Sequence, residues 1–344
     1  MPAYNHNALD AKIKAMRGKL LRAADYEQLA LIKTVEEFSR RLKEYQAYEK
    51  TLGGTEELGL HRGDIERRLA HSIADDFTRI YSFIGDADMR AYLDAVNLRN
   101  EVEILKLLLC TIYDERPVAY TLPELSHLLR KTQRLDLPSL LASKTVEAFV
   151  ERLRGTEFYA TLSKPLQGTY RLFDLEMSLD LYYYLHRHAL QERHLNKQDK
   201  AAMGYVNGVE VDLQNIRWAY RLKTYYKLDE AQIYACLIPL RYKLKKPALA
   251  AIVEARGGDA LHNAVLATPY GKAIARVASV DEGCKAAIFR TIHAAARAHP
   301  HTIVPTVVYI RDKETEVKSI VSLLESIRYG LRREEALAYV THTR

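Results

Sequence analysis

The sequence predicts an all-α protein made of three related helical lobes, and three observations carry that prediction. First, the 344 residues include only 15 Gly and 10 Pro, while Leu, Ala, Arg, Lys and Glu fill long stretches without the alternation that strands require. Second, apolar residues recur at helical spacing, as in Leu98, Val102, Leu105 and Leu109, or Val317, Ile320, Leu324 and Ile327. Third, the chain repeats itself. Thr34–Tyr48 returns 111 residues later as Thr145–Tyr159, with seven of fifteen positions identical. Asp64–Leu69 is echoed 110 residues on by Asp174–Leu179. Asn97-Leu98-Arg99-Asn100 recurs as Asp212-Leu213-Gln214-Asn215 and, more worn, as Glu316-Val317-Lys318-Ser319. A period of roughly 110 residues is the size of a domain rather than of a solenoid repeat, so each copy should hold a core of its own.

Taken in order, the elements are helices joined by short turns. Punctuation falls at Gly53-Gly54, Leu122-Pro123, Lys164-Pro165, Ile238-Pro239, Lys246-Pro247, Gly257-Gly258 and His299-Pro300, where Gly and Pro end or re-aim helices. Pro123, Pro239 and the chain end close the copies at comparable places. Lobes of 1–130, 131–245 and 246–344 follow, related by a pseudo-threefold axis.

Composition points to a large folded protein. Hydrophobic residues make up 48% and charged residues 28%, which is ample for cores and argues against disorder. Cys110, Cys236 and Cys284 are odd in number and widely scattered, which fits buried thiols in a reducing compartment, the cytoplasm. The most apolar run, Ile104–Tyr113, is interrupted by Lys106 and far too short to span a bilayer. Any membrane association should therefore come through a partner. A net charge of +7 would suit nucleic acid, an anionic membrane or an acidic protein. Its densest cluster is Arg241, Lys243, Lys245 and Lys246, and acidic residues are interleaved nearly everywhere, as on a solvated helical surface.

The search for reaction chemistry finds no grouping above background. Gly271-Lys272-Ala273 resembles the end of a phosphate-binding loop, but Leu266 and Ala273 stand where that loop needs Gly and Ser or Thr. Among the His and carboxylate residues of 185–188 and 192–194, His188 and Glu192 are the one clean pair at the spacing that two metal ligands on a helix face need. Asp75-Asp76 reads as an exposed helix turn, and His299-Pro300-His301 as a turn before a helix. The 23 tyrosines, Tyr182-Tyr183-Tyr184 among them, read as core and interface filler.

The run Val209-Glu210-Val211-Asp212-Leu213-Gln214-Asn215-Ile216-Arg217-Trp218-Ala219-Tyr220-Arg221-Leu222-Lys223, followed by Leu237-Ile238-Pro239, resembles the central "E-I-D-x-x-N-I-x-x-x-x-R-x-K … L-I-P" signature of the C subunits of V-type and A-type ATPases, the d subunits of eukaryotes. The likeness extends over the whole chain. The helices at Leu42/Tyr48 and Leu153/Tyr159 resemble that family's repeated "L-x-x-T-x-Y" elements, with Thr156 present in the second copy and Tyr45 in its place in the first. Thr268-Pro269-Tyr270 continues the series, and Ser319 stands where the third copy usually carries Asn.

This resemblance implies a non-enzymatic mechanical part that needs no cofactor or metal. It implies a funnel of three lobes, present once per complex and monomeric when isolated. The interior would receive the foot of the central stalk, made of D- and F-type subunits, and the broad face would rest on the proteolipid rotor ring at the cytoplasmic side of the membrane. Torque would then pass between ATP chemistry and H+ or Na+ transport. The expected partner-binding residues are Arg217, Arg221 and Lys223, with Arg99 and Lys318 at matching places in the other copies. Arg217 and Arg221 are four apart and share a helix face. The competing reading is that Arg221 and Lys223 pair with an acidic residue of a neighbouring helix within the lobe. Two other classes are open: a basic helical nucleic-acid binder, for which heparin retention would speak, and an all-α enzyme acting on a diphosphate, for which magnesium-dependent substrate binding would.

Overall fold

The computed structural model describes residues 6–53, 61–115, 135–277 and 279–340. Residues 1–5, Gly54, Leu122-Pro123 and the expected lobe boundary at 130/131 lie outside the described residues. The described residues are helical with short connections, and no strand occurs among them.

Helix starts follow from local chemistry. Thr34 and Thr145 each adopt an extended backbone and accept a hydrogen bond at the side-chain oxygen from the amide three residues on, Glu37 and Ala148 respectively, at 3.2 Å. Such a cap satisfies an amide that the first helical turn leaves without a partner. The two repeated segments thus share a cap as well as a sequence. Asn196 caps Lys197–Thr224 by accepting from the Gln198 and Asp199 amides, and Pro247 stands in the first turn of Lys246–Val253, where its missing N–H costs nothing. Within the Asp64 and Asp174 repeats, Ile65 and Leu69, and likewise Leu175 and Leu179, are completely buried.

The chain packs as two compact units. The first is drawn from Met1–Ala87, Thr111–Arg152 and Pro305–Arg344, and the second from Asp88–Cys110 and Leu153–Val304. Packing joins residues from different repeats. In the first unit, Leu21, Tyr26, Phe38, Leu42, Tyr48 and Leu52 share a core with Val317, Ile320, Leu323 and Leu324 of the helix Val304–Arg328. In the second, Val209–Leu222 packs with Ile238, Leu249, Val265, Ile274, Cys284 and Ala287. Burying an aliphatic or aromatic side chain contributes about 2 kcal/mol, so each shared core binds its helices firmly.

Two expectations change on folding. Asp76 is not on an exposed turn: its side chain is half-buried and accepts a 2.5 Å hydrogen bond from Tyr309. The aromatic repeat also shifts by one residue. Tyr48 and Tyr270 are buried and lie four residues before buried Leu52 and Ile274, whereas in the middle copy it is Phe158, four before Leu162, that is buried. Tyr159 is half-buried and accepts from Arg154.

Candidate functional site

The signature segment lies on the helix Lys197–Thr224 and is buried all round for two turns, since every residue from Val209 to Ile216 is buried. Polar side chains in such a place need partners, because an unpaired buried polar group costs about 1–3 kcal/mol. Asp212 is saturated. Its carboxylate accepts from the amides of Tyr242 (2.9 Å), Lys243 (2.6 Å) and Leu244 (2.8 Å) and from the Tyr270 hydroxyl (2.7 Å). Burial, reinforced by Asp212, holds the Tyr270 phenol well above its ordinary value, so it stays a donor. One turn on, Asn215 accepts from the Ile238 amide at 2.9 Å and donates to the Ile238 and Leu240 carbonyls. The i, i+3 pair Asp212 and Asn215 thus grips the backbone of residues 238–244, which explains why D-x-x-N and L-I-P occur together.

The third copy repeats the device in the first unit. Glu316 is fully buried and accepts from the Leu21 amide and the Tyr48 hydroxyl, each at 2.5 Å. Lys313 donates to Tyr48 at 2.9 Å and sits 4.0 Å from the centre of its ring. Burial raises the Glu316 carboxyl above its usual range, against the pull of Lys313, Tyr48 and the Leu21 amide.

Four of the five expected partner residues have company inside the chain. Arg217 and Arg221 do share a helix face, and both meet Asp281 of the helix Val280–Ala298, at 2.5 and 3.3 Å, where Lys285 joins at 2.9 Å. Burial alone would push the Asp281 carboxyl up, but hydrogen bonds from Arg217 and Lys285 override it and hold it at about 2. Lys223 donates to the Val253 carbonyl. Arg99 is half-buried, with its charge felt at Asp180. Lys318 is exposed.

Sequence reading missed Arg187 and Glu210. Arg187 is 2% exposed, donates through Nη1 to Glu210 and to Tyr183, both at 2.9 Å, and stacks on the rings of Tyr183 and Tyr184. Glu210 belongs to the signature and was a signal; Arg187, in a run of His and Tyr, was not. His188 and Glu192 line a cavity beside this pair. Among the described residues no cluster of three or more His, Cys, Asp or Glu is arranged to hold a metal, and no helix is long and apolar enough to cross a membrane.

Buried charge here fastens helices to loops, so fold and site define a helical structural protein. Comparison with known proteins gives it a family. The model of the ATP synthase (C/AC39) subunit family matches residues 9–339, and the chain belongs to that family, a structural and non-catalytic one. It is 26% identical to the A-type ATP synthase C subunit of Archaeoglobus fulgidus over 342 residues, covering 94% of this chain and 93% of the relative. The same protein of Methanosarcina mazei is 25% identical, with 94% and 89% covered, and that of Pyrococcus abyssi is 22% identical, with 95% and 87% covered.

Proposed function

We propose that this chain is the stalk-to-rotor adaptor of an A- or V-type rotary ATPase, a peripheral component at the cytoplasmic face that seats the D- and F-type central stalk on the proteolipid ring. Membership of the C/AC39 family, matched over residues 9–339, carries the reading. The clamps at Asp212 and Glu316 support it, because a part that transmits torque must resist deformation, and saturated buried carboxylates resist it well. The three sequence lobes, arranged as a funnel, belong to the same proposal. Partner contact falls to Lys318 and to the accessible edge of Arg221; the internal partners of Arg217 and Lys223 favour a holding role for those two.

The test is co-purification. A tagged chain, expressed with the genes of its own complex, should bring down stalk and ring subunits together with the catalytic subunits. Recovery of the chain alone under conditions that keep the rest of the complex intact would overturn the reading.

A further inference from the structure

The loop fastened by Asp212 and Asn215 presents positive charge that no ion pair among the described residues neutralises. Between Glu230 and Glu254 the sequence has no acidic residue, and Arg241, Lys243, Lys245 and Lys246 fall within six positions of it. All four are exposed, as are Tyr242 and Pro247; Leu244 alone turns inward and is fully buried. None of the four makes an ion pair among the described residues. Elsewhere cations are matched to acids, as Arg217, Arg221 and Lys285 are around Asp281. Two acidic residues beside the loop are already engaged. Glu192, which shares a cavity lining with Arg241, pairs with Lys200 at 3.4 Å, and Asp212 is filled by the loop amides.

The fold keeps these like charges together. Bonds from the backbone to Asp212 and Asn215 hold residues 238–244, so the cations cannot spread as they would on a loose loop. Lys245 and Lys246 then stand at the N-terminus of the helix Lys246–Val253, whose first turn holds no acidic side chain. A helix dipole is positive at that end and favours an acid there, so the two lysines work against the helix and raise the local potential. Lys243 lies 5.6 Å from the ring centres of both Tyr205 and Tyr242, and Tyr242 is 47% exposed. An aromatic ring with a polar tip thus stands among the cations.

We propose that the loop Arg241–Lys246 docks on an anionic phospholipid surface, with its cations against the phosphates and Tyr242 at headgroup level. The proposal rests on the adaptor reading, which holds the chain beside a membrane, and adds a contact with the lipid itself. Clustered Lys and Arg are drawn to acidic headgroups, and tyrosine suits that depth because its ring is apolar and its hydroxyl polar. The contact stays at the headgroups, since among the described residues no helix is long and apolar enough to cross a membrane. A patch already fixed in place loses little freedom on binding.

The experiment is flotation of the purified full chain with vesicles of phosphatidylcholine alone, or of phosphatidylcholine with about 30% phosphatidylglycerol, at about 50 and 200 mM salt. Wild type should float with the anionic vesicles only, and the higher salt should release it. Lys245→Glu with Lys246→Glu should weaken that binding at least about tenfold. The same variant should keep or raise the thermal midpoint, because acids suit a helix N-terminus. Lys245→Arg with Lys246→Arg should bind as wild type does. Binding that is absent, that is equal on neutral vesicles, or that is unchanged in the folded Glu variant would overturn the proposal. Release of the chain by duplex DNA or polyglutamate at a lower charge concentration than that of the lipid would also overturn it, and would assign the loop to a nucleic acid or an acidic protein. Flotation uses the chain alone, so its failure leaves the adaptor reading standing on co-purification, whereas failed co-purification removes that reading without touching the flotation result.

Discussion

Asp212 sits where no water reaches, and its four hydrogen bonds satisfy three loop amides and a phenol that would otherwise be orphaned. Asp212→Ala should therefore destabilise the chain by about 3 kcal/mol or more, read as a lower urea midpoint with an unchanged slope. Glu316→Ala strands buried Lys313 as well as the Tyr48 hydroxyl and the Leu21 amide, and should cost about 3–5 kcal/mol. The two kinds of carboxylate respond to pH with opposite sign. Asp281 is depressed to about 2, so its contribution is fully present above its unfolded value and is lost as pH falls through the folded one. It amounts to about 1–2 kcal/mol once solvent screening is allowed for. Glu316 is raised, so what it contributes in the protonated form is present at low pH and lost as pH rises through its folded value. Acid titration of Asp281→Asn should show a flatter loss of stability than wild type between about pH 4 and 2; an unchanged profile would remove Asp281 from the account.

At the scale of elements, the helix Gly271–Ile274 depends on a residue that the sequence offered only as a failed phosphate loop. A Cβ on Gly271 would lie 1.9 Å from the Leu266 carbonyl oxygen, which is backbone and cannot swing aside. Gly271→Ala should cost about 2 kcal/mol or more, while Gly204→Ala, whose nearest neighbour is 3.6 Å away, should be neutral or slightly stabilising. Equal thermal midpoints for the two variants would show that close approach is not why Gly271 is there. Element type was legible because helix periodicity and the repeats agreed, and the buried stripe Leu98, Val102, Leu105, Leu109 is where the spacing placed it. Partner assignment was less legible. Arg217 and Arg221 share a face as their spacing requires, but spacing cannot say whether that face meets another protein or Asp281, some sixty residues away in the chain. The register of Phe158 against Tyr159 was hidden for a related reason, since identity favoured the tyrosine and only burial singles out the phenylalanine.

For the whole molecule, stiffness is the property on which the proposed coupling role depends. The isolated chain should show no ATP turnover, and activity of the purified protein that a point substitution in it removes would contradict its place in a structural family. The sharper prediction concerns the complex. Each compact unit has its own clamp, Asp212 in one and Glu316 in the other, and each fastens a long helix to the backbone of a loop far along the chain. Loosening one clamp should soften that unit before it unfolds, because each unit also has a large apolar core of its own. In vesicles holding complexes built with Asp212→Ala, at a temperature where the variant remains folded, ATP hydrolysis should continue close to the wild-type rate while ion pumping per ATP falls, since a soft adaptor stores or loses the work of each step. Asp212→Glu, which keeps the charge and an acceptor, should recover part of the pumping. Hydrolysis and pumping that fall together would point to lost assembly instead, and full pumping in a complex whose clamp is demonstrably weakened would show that rigidity at Asp212 is not what couples the stalk to the ring.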